Sequence, residues 1–371
     1  MKNVFLLFLS SLWQVSLSLG WVQKHVLVFV VVLREVEVEV EVLVVLPFML
    51  GAYTFPSKYI INFNMPTIFS TYFQSWSSSG TTGSTIDLAL MDPRIKVITI
   101  DGVNANFSYT KGQNDFSASG LSFPQSFAVV KAGIAAAAAK GQTVMLTVGE
   151  GGVGAFGTAA PYATFDSAVA LANDLGCHGI DIDWEPSVYS PQIFGPLIAG
   201  FRAAMTAANG SATLLSAAVW ATGAETPVTG SAYTGLNLEG MKSNGNQLDW
   251  INIMSYDDGG PTMYDIQAGF NSYRKVYSGH INLGIELGPQ GWGTYLSQPS
   301  DVTQAANIIK ADGNGGVFVW AYKKDTTGSP TFATTLNLVE AIFNPPPVNP
   351  TSNGSIVCPN CKKVLKVAMT Y

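Results

Sequence analysis

Residues 178–186 read HGIDIDWEP, with Asp181, Asp183 and Glu185 at every second position and Ile180, Ile182 and Trp184 between them. Only 12% of the chain is charged, so three acids on one short apolar segment call for a chemical reason. Alternate side chains of a strand share a face, which sends the carboxyl groups one way and the Ile and Trp side chains the other. Neighbouring acids in such a row stand about 6.7 Å apart. If the apolar face meets covering helices and the acids face an interior, they cannot all ionise, and at least one keeps a proton. The row then titrates as a coupled set, and an acid still protonated near neutral pH is what general acid catalysis needs. A calcium loop fails on the bulky intervening residues and on Pro186, which stands where an EF-hand loop needs Gly.

An interior for the acids requires a scaffold, and the rest of the chain supplies one. Short β-branched runs recur at 67–76, 95–100, 143–148, 179–184, 213–220, 250–256, 281–287 and 316–322, giving eight candidate strands. Helical patterns lie between them, notably SFAVVKAGIAAAAAKG after Pro124 and FDSAVALANDLG, where Gly176 can serve as a C-cap. Strand, helix, strand at a spacing of roughly 35 residues implies parallel crossovers, and eight such units close into a (β/α)8 TIM barrel over residues 66–343, with an open doubly wound sheet as the alternative. The acidic segment is the fourth strand, where an edge position with acids in water would leave its apolar opposite face unexplained.

GIDIDWE resembles the catalytic strand of glycoside hydrolase family 18, the chitinases and their relatives, whose pattern is D-G-x-D-x-D-x-E on the fourth barrel strand. Three further segments resemble the family in the same order: LTVGEGG its S-x-G-G strand end, LDWINIMSYD its sixth-strand M-x-Y-D, and GGVFVWAY its eighth strand with the terminal Trp. The resemblance implies that Glu185 is the general acid at a glycosidic oxygen and that Asp183 orients the substrate acetamido group, whose carbonyl oxygen replaces an enzyme nucleophile. It further implies that Asp181 exchanges a proton with Asp183, that Tyr256 holds the carbonyl oxygen, and that Trp320 floors the sugar pocket. Met254 and Asp257 share the strand end with Tyr256, as barrel active sites require, and Trp220 and Trp76, at the ends of strands five and one, are candidates for lining sugar subsites. The implied substrates are chitin or N-acetylglucosamine oligosaccharides. No metal or other cofactor is expected.

Three positions depart from the pattern. His178 replaces the family's first Asp; protonated and beneath Asp181, it would favour the ionised aspartate and shift the pH optimum. Thr147 and Glu150 replace Ser and Gly on the third strand. The gap between strands seven and eight is too short for the α+β domain some members carry there, which predicts an open cleft and internal cleavage. GEGGVG at 149–154 also matches G-x-G-x-x-G, but no helix pattern opens directly from it, so a nicotinamide cofactor is disfavoured. A non-catalytic lectin on the same barrel would be expected to have lost Glu185. An endo-β-N-acetylglucosaminidase acting on N-glycans is a further alternative.

The remaining composition sets the boundaries. A net charge of −6, a pI near 5.1 and singly scattered Lys and Arg leave no basic stripe for nucleic acid. No apolar run reaches the roughly 18 residues that cross a bilayer, so no membrane span is expected. Lys2, VFLLFLSSLW and SLSLG read as a signal peptide over 1–20, implying a secreted, extracellular protein; a monomer is expected. Residues 21–65 are low-complexity, and their REVEVEVEVLVV alternation suits a strand with a Val face and a Glu face. Residues 344–371 form a Pro-rich linker and a tail in which Cys358 and Cys361 make a CPNC pair. A local disulfide suits this pair better than half a zinc site. Cys177 reads as a buried small apolar residue.

Overall fold

A computed structural model describes residues 28–34, 37–43, 68–76, 81–82, 85–150, 165–186, 189–231, 233–257, 265–288, 297–322, 331–345, 355–357 and 364–366. The expected signal peptide, the loop after Gly149 that carries the rest of GEGGVG, and Cys358 and Cys361 lie outside these. The chain divides into residues 1–63 and 64–371. Within the first unit, Val28–Arg34 and Glu37–Leu43 form an antiparallel hairpin, so the Glu-Val alternation does make a strand. Ser355–Val357 and Val364–Lys366 pair antiparallel in the tail.

Eight parallel strands close into a barrel: β1 (Ile68–Gln74), β2 (Ile95–Asn104), β3 (Thr143–Glu150), β4 (Gly179–Trp184), β5 (Leu214–Trp220), β6 (Trp250–Met254), β7 (His280–Glu286) and β8 (Gly315–Trp320). The ring is completed where β8 pairs with β1, Gly316 opposite Ile68. All eight predicted strands are present, and the open-sheet alternative falls. A short 3-10 turn at Asp87–Leu90 leads into β2. Each later strand is followed by one helix: α1 (Phe127–Ala139), α2 (Phe165–Leu175), α3 (Pro191–Ala208), α4 (Leu238–Asn244), α5 (Ile266–Arg274), α6 (Pro299–Asp312) and α7 (Phe332–Phe343). Their ends follow local chemistry. Gly176 takes a positive φ of 84° after α2, Asp265 accepts from the backbone N–H groups of Gln267 and Ala268 at the start of α5, and Gln298 and Asp301 form a capping box on α6. Between β7 and β8 the described residues hold only α6, in keeping with the short gap.

Strand alternation sorts the barrel into two surfaces. Ile180, Ile182 and Trp184 of β4 are fully buried in the layer between strands and helices, where the Trp184 ring stacks on Phe194 of α3 at 5.7 Å and 21°. Inward, an apolar layer of Val97, Met145 and Trp250 fills the N-terminal end of the barrel. Above it lies a polar layer, and above that an aromatic layer of Tyr72, Met254, Tyr256 and Phe318. This stacking by alternate strands is how a barrel fills its centre. Cys177 is buried as expected, and burial pushes its thiol up to about 12, which removes it as a nucleophile at neutral pH.

His178 corrects an expectation. Its parity is that of Ile180 and Ile182 rather than of Asp181, and its Nδ1 accepts the backbone N–H of Val144 at 3.0 Å. It therefore does not sit beneath Asp181, and the reading of a shifted pH optimum through this residue loses its geometric basis.

The histidine of consequence is the partly buried His280, which opens β7 and bonds through Nε2 to Asn282 Oδ1 at 3.0 Å. Burial lowers its pKa from 6.5 to about 4, against the opposing hydrogen bond to Asn282. A group with a depressed folded-state pKa of this kind must charge on unfolding, so its contribution to stability is complete above pH 6.5 and is lost as pH falls toward 4. The difference in Tm between wild type and His280→Gln should shrink over that interval in a pH series of thermal melts. A difference that stays constant contradicts the assignment.

Candidate active site

The site is built on Asp181, the deepest member of the acidic row. It is inaccessible to solvent and faces donors from four strands. Ser216 of β5 donates to Oδ1 at 2.5 Å and Tyr72 of β1 to Oδ2 at 2.9 Å, with Asn252 of β6 at 3.3 Å and Thr147 of β3 at 3.4 Å completing the set. Asn282 Nδ2 donates to Asn252 Oδ1 at 2.9 Å, and Asn252 Nδ2 donates to Tyr72 OH at 2.9 Å, so a chain of amide and phenol dipoles points at the carboxyl group. Burial still raises the Asp181 pKa, with the four donors opposing it. Thr147 thus has a place in the site: its hydroxyl serves where the family pattern has Ser.

Two residues further along β4, Asp183 and Glu185 hydrogen-bond to each other. Asp183 is pushed well above the ordinary carboxylate range, by burial first and then by the charges of Glu185, Asp101 and Asp181. Glu185 is also raised by burial, while the bond from Asp183 pulls it back down. The consistent reading is one proton held by the pair, resting on Asp183 and donated to Glu185. Asp181 is satisfied by neutral donors, and Asp183 engages Glu185.

β6 ends at Met254, two residues short of the predicted limit, which places Tyr256 and Asp257 just past the strand. Tyr256 is buried, its ring edge-on to Phe318 at 6.1 Å, and its hydroxyl is held neutral by burial and by the surrounding acids Glu286, Glu185, Asp183 and Asp257. Gly284 makes room for this ring, since a Cβ there would lie 2.7 Å from Tyr256 Cε1 and 2.5 Å from Phe318 Cζ. Asp257 takes a positive φ of 55° and stands partly open beside Glu185. Trp320 is half-buried at the end of β8, its ring 5.5 Å from Tyr72, and the peptide bond to Ala321 is cis. Trp220, also half-buried, packs against the same aromatic layer and lies 5.0 Å from the ring of Tyr233. Met254 is closed to solvent and supports this layer from within. Trp76, 38% exposed in the turn after β1, lies outside the buried clusters. Nothing is described of the Glu150 side chain.

Sequence reasoning missed Tyr72, Asp101, Ser216, Asn252, Asn282 and Glu286. The signal was available: each is a polar residue at inward parity on a strand whose other face is apolar. Six carboxyl groups, those of Asp101, Asp181, Asp183, Glu185, Asp257 and Glu286, thus converge on one barrel, and no ion pair among the described residues includes Asp181, Asp183, Glu185 or Glu286. Removing one donor from Asp181 should be felt in stability. Tyr72→Phe deprives both Asp181 and Asn252 of a partner, and a loss of about 1–3 kcal/mol in urea unfolding is expected; an unchanged midpoint contradicts this role.

Residues 68–286 match the family Glycosyl hydrolases family 18. A class V chitinase of Arabidopsis thaliana is 34% identical over 102 residues, a segment covering 26% of this chain and 24% of that protein. The chain therefore aligns with about a quarter of that curated relative's length. Among solved structures, the fold is shared with a class V chitinase of Nicotiana tobaccum (TM-score 0.54, 17% identity, 75% of this chain and 99% of that one). It is shared also with a mutant of the Group II chitinase catalytic domain 2 of Ostrinia furnacalis in complex with penta-N-acetylchitooctaose (TM-score 0.51, 15% identity, 75% and 96%). With more than half of its length matched, from the first barrel strand to the end of the seventh, the chain belongs to glycosyl hydrolase family 18.

Proposed function

We propose that this protein hydrolyses β-1,4-linked N-acetylglucosamine polymers of the chitin type, with Glu185 as general acid and the substrate's own acetamido group as nucleophile. The observation that carries the reading is the pair Asp183 and Glu185 at the C-terminal mouth of the barrel, both raised above the ordinary carboxylate range by burial and standing next to a buried Tyr256. In the free protein the proton rests on Asp183. When a sugar enters, its acetamido N–H offers Asp183 a donor, which favours the ionised aspartate and lets the proton pass to Glu185.

Glu185 then protonates the glycosidic oxygen as the bond to the anomeric carbon breaks. The acetamido carbonyl oxygen bonds to that carbon, Tyr256 donates to the same oxygen, and Asp183 stabilises the positive charge that develops on the amide nitrogen. Water adds to the anomeric carbon of the resulting oxazolinium ion, Glu185 takes the water's proton, and the configuration is retained. Trp320 supplies an aromatic face for the apolar side of the pyranose. Trp220 and Trp76 are assigned to neighbouring sugars along an open cleft, and the short gap between β7 and β8 favours cleavage within a chain. A relative of the same fold binds a chitooligosaccharide, which supports this substrate class.

The sequence of the first twenty residues supports secretion, and Asn106 and Asn209, each opening an Asn-x-Ser triplet that can accept a glycan in a secreted protein, are exposed on the barrel. A non-catalytic carbohydrate-binding role is the second reading; the presence of Glu185, Asp183 and Tyr256 supports the enzyme over it. Wild type should cleave N-acetylglucosamine oligomers with initial release of the β-anomer, and Glu185→Gln should lower kcat by about a hundredfold or more while oligomer binding persists. Tight binding without turnover in both proteins would establish the lectin instead. Because the Asp183 and Glu185 pKa values are raised, the protonated pair should persist above the ordinary carboxylate range, with activity lost as pH rises past it.

A further inference from the structure

Glu286 has no part in the mechanism above, and neither the strand motifs nor the family pattern singled it out. It closes β7 at inward parity, in line with Asn282, which bonds to Asn252 on the adjacent β6, and Gly284, which abuts Phe318 and Tyr256. It pairs in register with Trp320 of β8. Its side chain is fully buried, and neither carboxyl oxygen has a hydrogen-bond partner within normal geometry among the described residues. No ion pair among those residues includes it, while Asp257 and Tyr256 both stand beside it. A carboxylate in such a place would be an unpaired buried charge pressed against a second acid, which is the costliest state available to it.

We propose that Glu286 is a positioning residue of the cleft: held as the neutral acid, it turns its proton toward the Asp257 carboxylate and fixes Asp257 and the adjoining Tyr256 for the incoming acetamido group. The inference rests on the chitinase reading for its catalytic consequence. Its protonation claim stands alone. Burial raises the Glu286 pKa to about 9, with the Asp257 charge adding to the effect. The titratable groups around it are Asp257 and Tyr256 from the end of β6, with Asp183 and Glu185 of β4 facing the same tyrosine, and Trp320 of β8 adds no charge. Above pH 9 Glu286 ionises, the donor is lost, and two like charges meet behind Tyr256.

The test compares wild type with Glu286→Gln, which donates at every pH, and Glu286→Leu, which never does. For N-acetylglucosamine oligomers, kcat/KM of wild type should fall with an inflection near pH 9. Glu286→Gln should lie within about threefold of wild type at pH 7 and lack that inflection, and Glu286→Leu should be about tenfold or more below wild type at pH 7. An alkaline inflection unchanged in Glu286→Gln, or full activity in Glu286→Leu, overturns the proposal.

Thermal melts check the protonation without any substrate. A raised folded-state pKa contributes stability that is complete below 4.5 and is lost as pH rises to about 9, so wild type should lose Tm relative to Glu286→Gln across that window. Parallel curves overturn the proposal. If neither protein cleaves the oligomer, the catalytic reading fails and binding followed by tryptophan fluorescence replaces the rate. Loss of wild-type binding above pH 9 that Glu286→Gln does not share supports the proposal, and identical binding curves overturn it.

Discussion

The placing of Asp183 and Glu185 side by side is the constraint around which the site is organised. Two partly buried carboxyl groups at the end of β4, with no cation paired to them among the described residues, cannot both ionise at moderate cost. One proton has to stay. Other proteins use a nearby Arg or Lys to relieve such a row, and its absence here is what keeps an acid available. On the proposed chitinase reading, that proton is the reagent glycoside cleavage consumes.

The surrounding layers make that arrangement tolerable. Asp181, one step deeper, is satisfied by hydroxyl and amide donors from four strands, so it adds negative potential beneath the pair without competing for its proton. The aromatic layer above excludes water and leaves Tyr256 neutral. On the far side of β4, Trp184 and two isoleucines lock the strand against the helices, which fixes which way the carboxyl groups point. A slip of one residue would exchange the two faces and bury the acids in hydrocarbon, so the same alternation that encodes the site also protects it.

Much of this was legible beforehand because period-two alternation is a local property. The eight strands, the inward direction of Asp181, Asp183 and Glu185, and the outward direction of Trp184 all follow from neighbours in sequence. What could not be read were contacts among strands far apart in the chain. The Tyr72 bond to Asp181 spans 109 residues, and the Asn252 bond to Tyr72 spans 180. His178 was misplaced because adjacency in sequence to Gly179 was taken for adjacency in space to Asp181, whereas the pleat sends it the other way. Glu286 was overlooked because one acid in an apolar strand carries no pattern; only its closed, unpaired surroundings make it conspicuous.

The most direct measurement of the central claim is carbon NMR of the labelled carboxyl groups of Asp183 and Glu185, assigned by single substitution and followed through a pH titration of the free protein. The account predicts that the two signals move together and that the pair retains one proton through neutral pH. Two independent transitions, each complete within the ordinary carboxylate range and leaving both groups ionised at pH 7, would contradict it.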